Sequence, residues 1–342
     1  MTMANKSKTM KVEPAVKSEE KAQIKRNLNW WFKRILYDRP ILLITLIVLI
    51  AVFMTFVYSE AFPHWDNIAA VLLDTAQSGI ITTGMLILLI CGVFDLSAGS
   101  TLAFAGIVAG LLSKAAGAPP LLAILAGIGT GLAVGIINGL IITRLHINAL
   151  ITTLAMQGIL RGVTQIVSPS GVANLPDSFK PFGQTVILGL QSPFWVMVII
   201  VLTAWFLMSR VRFFRQFYYV GSNAKAATLS GIKVPRLTVV GFAIMGSLAG
   251  LGGTMLASRL SNAVVLAGTG IELRAITAAI LGGASLSGGL GTVPGAFLGV
   301  LFMSLIQNML IIARVPVFYQ SIVVGIVLLA AIGIDQFGHS RK

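Results

Sequence analysis

Charge is scarce in this sequence. Only 11% of its 342 residues are Asp, Glu, Lys or Arg, against about 25% in soluble domains. Fourteen of these charges fall in the first 39 positions, so the remainder of the chain has too few to solvate a globular surface. That excludes a soluble domain and leaves a polytopic membrane protein. Cysteine is almost missing as well. With Cys91 alone no internal disulfide can form and nothing points to redox chemistry; it reads as a small apolar packing residue. His64, His146 and His339 are isolated in sequence and fall in expected loops. No metal-ligand spacing, Ser-His-Asp set or paired-carboxylate site can be assembled. The phosphate loop G-x-x-x-x-G-K-[ST] occurs nowhere, so the chain is expected to be no enzyme and to bind no cofactor itself.

The formal net charge of +14 raises nucleic acid as a partner, and the distribution of the charge removes it. Ten Lys/Arg precede Pro40 and six lie between Arg210 and Arg236, with no aromatic-interleaved basic stripe of the kind single strands need. Lys and Arg collect in the cytoplasmic segments of membrane proteins, so the basic balance is a topology signal.

What the sequence has in abundance is long apolar runs. About 20 such residues cross a bilayer as a helix, which predicts spans at 40–58, 67–91, 95–112, 120–142, 148–167, 193–209, 237–257, 271–285, 291–312 and 317–335. The expected domains are a basic cytoplasmic tail over 1–39, a transmembrane domain over 40–335 with a cytoplasmic segment at 210–236, and a cytoplasmic end over 336–342. The tail has no h-region of a signal peptide, and its "LNWWFKRIL" suits the headgroup layer. Ten spans put both termini on one side. The loops then assigned to the inside hold Arg144, Arg210, Arg212, Arg215, Lys225, Lys233 and Arg236, and those outside only Lys114, Lys180, Arg259 and Arg314, which points to both termini in the cytoplasm. "NGLII" at 138–142 is echoed by "NMLII" at 308–312 in spans of opposite direction, consistent with two inverted five-helix halves. The fold class expected is therefore all-α, about ten transmembrane helices.

Glycine, at 36 residues, lets helices approach closely in lipid. "DLSAGS" and "GGASLSGG" are too broken for continuous helix, and irregular backbone at membrane depth survives only inside protein or beside a wet cavity. Broken helices are expected near 91–100 and 282–291. Asp95 is the one charge between Thr75 and Ser113, at a depth where a carboxylate costs about 2.5–3.5 kcal/mol. It is expected either to edge a polar cavity with Ser97 and Ser100, or to cap a helix beginning at Leu96. Glu272 and Arg274 open the eighth span and, two apart, face different sides. Gln77, Asn138, Gln157, Gln307 and Asn308 are uncharged polar groups in apolar spans; Asn138, Gln157, Glu272 and Asn308 join Asp95, Ser97 and Ser100 as candidate pathway residues. "YYVGSNAKAATLSGIKVPRL" at 218–237 carries a short helix with Ala226, Ala227 and Ser230 regularly placed, which reads as a docking element.

Several blocks in order resemble the permease subunits of bacterial ABC sugar importers of the ribose/xylose/galactose branch, over roughly 60–335. "FDLSAGS" is similar to that family's "IDLSVGS"; "NGLIITRLHINALITTL" with "LRGVT", "VGSNAKAATLSGI" and "AGTGIELRAITAAILGGASLSGGLGTVPGAFLG" match further blocks. The resemblance implies that Gly221, Ser222, Asn223, Ala226, Ala227, Ser230, Gly231 and Ile232 form a coupling helix seated on a cytoplasmic ATPase subunit, which would hold the ATP and Mg. It also implies an external solute-binding protein, a second permease subunit, a bacterial inner-membrane location and alternating access for a sugar or related small polar solute. Arg274 stands where the family usually has Asp, and Val264 and Val265 where it has Gln and Pro. The alternative is an ion-coupled secondary transporter using Asp95.

Overall fold

A computed structural model describes residues 39–339; the tail with its expected interfacial piece, and the last three residues, lie outside it. The described helices are α1 (Arg39–Val57), α2 (Trp65–Ile90), α3 (Ala98–Lys114), α4 (Pro120–Arg144), α5 (Ala149–Val167), α6 (Pro181–Gln184), α7 (Ser192–Arg210), α8 (Arg212–Ser222), α9 (Ala224–Leu229), α10 (Val234–Leu260), α11 (Ile271–Leu281), α12 (Val293–Ile312) and α13 (Val317–His339). A two-residue hairpin, β1 (Val186–Ile187) with β2 (Leu190–Gln191), sits between α6 and α7.

The chain is all-α and multi-pass, as its composition requires. Among the described residues, seven helices are long and apolar enough to cross a membrane: α1, α2, α4, α5, α7, α10 and α12. Of the other three expected spans, α3 is an apolar helix of 17 residues and α11 has 11 residues, whereas α13 runs over 23. Two of these are cut by the breaks. The third span starts at Ala98 rather than 95, and the eighth stops at Leu281 rather than 285. His64 falls in the connection before α2, as expected, whereas His339 ends α13 rather than lying in a loop.

α2 runs through the middle of the molecule, with 83% of its apolar window buried, and it packs on α7, α10, α11 and α12. Its lower half joins Leu102, Phe217, Phe242, Met245 and Ile280 in one apolar core. The lipid-facing side is apolar too: Phe56, Ile166 and Leu329 are exposed. Burying apolar area therefore cannot hold the helices together, because lipid is as apolar as the core. Close approach does it instead. Gly127, Gly131 and Gly135 of α4 lie against α10, where a Cβ on Gly131 would stand 2.1 Å from the Gly246 carbonyl oxygen. Four-residue spacing keeps these glycines on one face.

Both broken helices end in the same way. α2 closes with Gly92 N–H donating to the Leu89 carbonyl and Val93 N–H to that of Leu88, with Gly92 at φ 84°. α11 closes with Gly283 N–H to Ile280 and Ala284 N–H to Ala279, with Gly283 at φ 98°. Each is a Schellman end, which satisfies carbonyls that lipid could not. The expected breaks at 91–100 and 282–291 thus occupy 91–97 and 282–292 in the structure.

Candidate functional site

The two breaks meet. The Gly289 N–H donates to the Ile90 carbonyl at 2.9 Å, joining the loop after α11 to the end of α2. Gly221, at the end of α8, lies in the same spot: a Cβ there would come within 1.8 Å of the Ile90 oxygen and 2.5 Å of the Gly289 nitrogen. The Tyr218 hydroxyl donates to the Gly291 carbonyl at 3.0 Å, and burial pushes its pKa up, so it stays a donor. α8 is held by its apolar face, where Phe217 is fully buried and stacks on Phe214. Three separate segments, two of them broken helices, therefore share one glycine-lined junction.

α9 hangs from that junction. Asn223 caps it by accepting the Ala226 N–H at 3.0 Å, and Gly231 closes it, with Ile232 N–H donating to the Ala227 carbonyl. The expected docking residues divide by face. Ala227 is buried against the protein and Ile232 is half-buried, whereas Ser222, Asn223, Ala226, Ser230 and Gly231 are exposed. Beside them Leu229 is 90% exposed. A leucine turned out of a six-residue helix, flanked by small residues, is the kind of surface a partner covers.

The seven candidate pathway residues fall into three groups, of which the first two meet at the first turn of α3. In the first, Asp95 accepts from the Ser97 N–H at 2.8 Å and the Ser97 hydroxyl at 2.6 Å. Asn138 of α4 donates to the Ser97 hydroxyl oxygen at 2.9 Å, and the Ser100 hydroxyl donates to the Ser97 carbonyl. All four are buried. The expected cap is thus corrected: Ser97, not Asp95, is the N-cap of α3, and Asp95 stabilises the turn before it. In the second group Gln157 of α5 donates to Glu272 at 3.4 Å. Glu272 is buried with Oε2 pressed against the first turn of α3, 2.5 Å from where a Gly99 Cβ would be. It also lies in the first turn of α11, so two helix N-termini offset the cost of its charge. In the third, Asn308 and Asn67 exchange amide bonds at 2.6 and 3.3 Å.

The sequence reading passed over two charged residues. Arg161 of α5 donates to the carbonyls of Val265 and Ala267 at 2.7 and 3.0 Å, clamping the loop before α11. Asp74 of α2 pairs with Arg274 of α11, one contact being Nη1 to Oδ1 at 3.2 Å. Glu272 and Arg274 do face opposite sides, as their spacing predicts. Asp74 and Arg274 line a cavity of about 450 Å³ between α2, α11, α12 and α13, which none of the seven candidate residues touches. Among the described residues no cluster of three metal-ligating side chains exists.

Apolar helices interrupted at depth, polar groups collected inside, and a cytoplasm-type basic segment wedged against both interruptions define a multi-pass membrane transport subunit. Residues 67–332 match the family described as branched-chain amino acid transport system / permease component, and the chain belongs to it. It is 37% identical to the ribose import permease of Escherichia coli K12 over 299 residues, 86% of this chain and 92% of that one. The ribose import permease of Bacillus subtilis is 37% identical over 84% of this chain and 90% of its own. An L-arabinose ABC transporter permease of Azospirillum brasilense is 36% identical over 81% of each. These relatives are transport components, not enzymes. No solved structure matches the chain.

Proposed function

We propose that this chain is the membrane permease of an ATP-driven importer for a sugar or related small polar solute in a bacterial inner membrane. A cytoplasmic ATPase pair docks on α9, an external binding protein delivers the solute, and two permease subunits form the path between alternate states. Both termini face the cytoplasm in this reading. The observation that carries it is the junction. α9 offers Ala226 and Leu229 outward, while the helix before it ends against Ile90 and Gly289. A push on α9 is delivered to both broken helices at once, and these are the parts of the bundle able to rearrange. Sugar as the class of solute rests on the relatives, which carry ribose or L-arabinose in their names.

The test is uptake into sealed vesicles supplied with ATP and an uncoupler. Transport should continue without a proton gradient, and Ala226→Glu should abolish it at normal membrane levels, because a charged, larger side chain then occupies the docking face. Ala227→Glu is a different experiment, since that residue is buried and the change damages the fold. Loss of wild-type uptake on uncoupling, with ATP still present, would favour ion coupling. Full uptake by Ala226→Glu would remove α9 as the coupling element.

A further inference from the structure

The polar cavity beside α2 lies away from the broken ends of α2 and α11 and from the α8 junction. Asp74, Gln77 and Ser78 stand at i, i+3 and i+4 of α2, and so on one face of a helix whose only other polar side chains between Val71 and Ile90 are threonines. Arg274 faces them from α11, and Gln307 of α12 is bonded to Gln320 of α13 on the far wall at 3.1 Å. Polar groups in spans are rare and expensive, so these six from four helices around one space need a reason. The space is about 450 Å³, inside the range of small-molecule sites.

We infer that this cavity is a solute-binding station and that it takes a neutral polyhydroxylated molecule. The inference rests on the transport reading above and names the site for it. Asp74 and Arg274 are paired and are the only charged side chains in the lining, so a bound anion or cation meets no unpaired opposite charge on the wall. The carboxylate is the more open partner, with 37% of its side chain exposed against 14% for Arg274, and it has lone pairs left for hydroxyl donors. The Gln77 and Gln320 amides each donate one N–H to a backbone carbonyl, of Gly252 and Val315, and keep a second N–H and an oxygen lone pair, which matches hydroxyl groups that both donate and accept. Leu256, Ile271 and Leu328 complete the wall and suit the C–H face of a sugar ring.

The test uses the complete transporter in membranes, with Cys91→Ala in the permease and either Ser321→Cys or Val324→Cys, both on the cavity wall, added. Ser170→Cys, exposed in the polar loop after α5, is the control. A water-soluble methanethiosulfonate should label the two cavity thiols and block uptake. The solute that the vesicles import, drawn from a panel of ribose, L-arabinose and neutral polyols, should slow that labelling about tenfold at ten times its dissociation constant. An anionic sugar acid such as gluconate should not, and the control adduct should leave uptake intact. Labelled cavity thiols with undiminished uptake would overturn the inference and leave the transport reading standing, as would labelling that the imported solute does not slow or an absence of labelling in an active transporter. If the unsubstituted vesicles import nothing with ATP, the transport reading falls and this inference falls with it.

Discussion

Asp95 accepts both of its short bonds from Ser97, two residues away, and that decides what its replacement should do. Asp95→Asn retains an acceptor for the Ser97 N–H and hydroxyl and gives up the charge-assisted part of the bonds, a loss of about 1 kcal/mol. Asp95→Leu strands both donors in a buried turn, at about 1–3 kcal/mol each. The purified protein should melt slightly earlier for the first and far earlier for the second, with uptake following the same order. Equal loss of uptake in both, without a change in melting, would mean that the charge itself works in transport. Residue-scale chemistry was legible in the sequence where partners are close in the chain. Asp95 with Ser97 is such a case. Asp74 with Arg274, 200 positions apart, is not: the sequence marks Arg274 as unusual for the family but says nothing about which carboxylate answers it.

Among elements, the α4–α10 crossing shows how the bundle coheres without a hydrophobic driving force. Gly131 admits the Gly246 carbonyl to 2.1 Å from its own missing Cβ, whereas Gly129, one face away, has nothing within 4 Å. Gly131→Val should force the helices apart and destabilise the protein by at least the roughly 1–3 kcal/mol of an overpacked core. Gly129→Ala should be neutral or stabilising by up to about 1 kcal/mol, because alanine is the better helix former. Thermal melts in detergent distinguish the two. Helix positions were readable from apolar run length, since α1, α4, α5, α7 and α12 begin within about two residues of expectation. The start of α3 and the end of α11 were less so. A Schellman turn stops α2 ahead of the one and stops α11 itself, and the sequence shows only glycines without saying which of them turns left-handed. The pathway residues were less legible still, because a polar side chain in a span reads the same whether it braces two helices or faces a cavity.

For the molecule as a whole, the junction predicts how transport should fail. Gly221→Ala places a methyl group where the Ile90 oxygen and the Gly289 N–H already meet. The α2–loop bond must then open or α8 must move away. Uptake should be lost while the assembled transporter still hydrolyses ATP, so the ratio of hydrolysis to uptake should rise steeply. Equal loss of both would place the defect in assembly instead. The same contact has a mechanical meaning. Most levers in proteins work through side chains, which bend and swap rotamers before passing a displacement on. At Gly221 backbone rests on backbone, with nothing compressible between the arm and the two parts that it touches. In the proposed importer such a linkage would have no backlash: small strokes would pass undiminished in both directions, and solute seated above would be felt at α9 as directly as a push on α9 above.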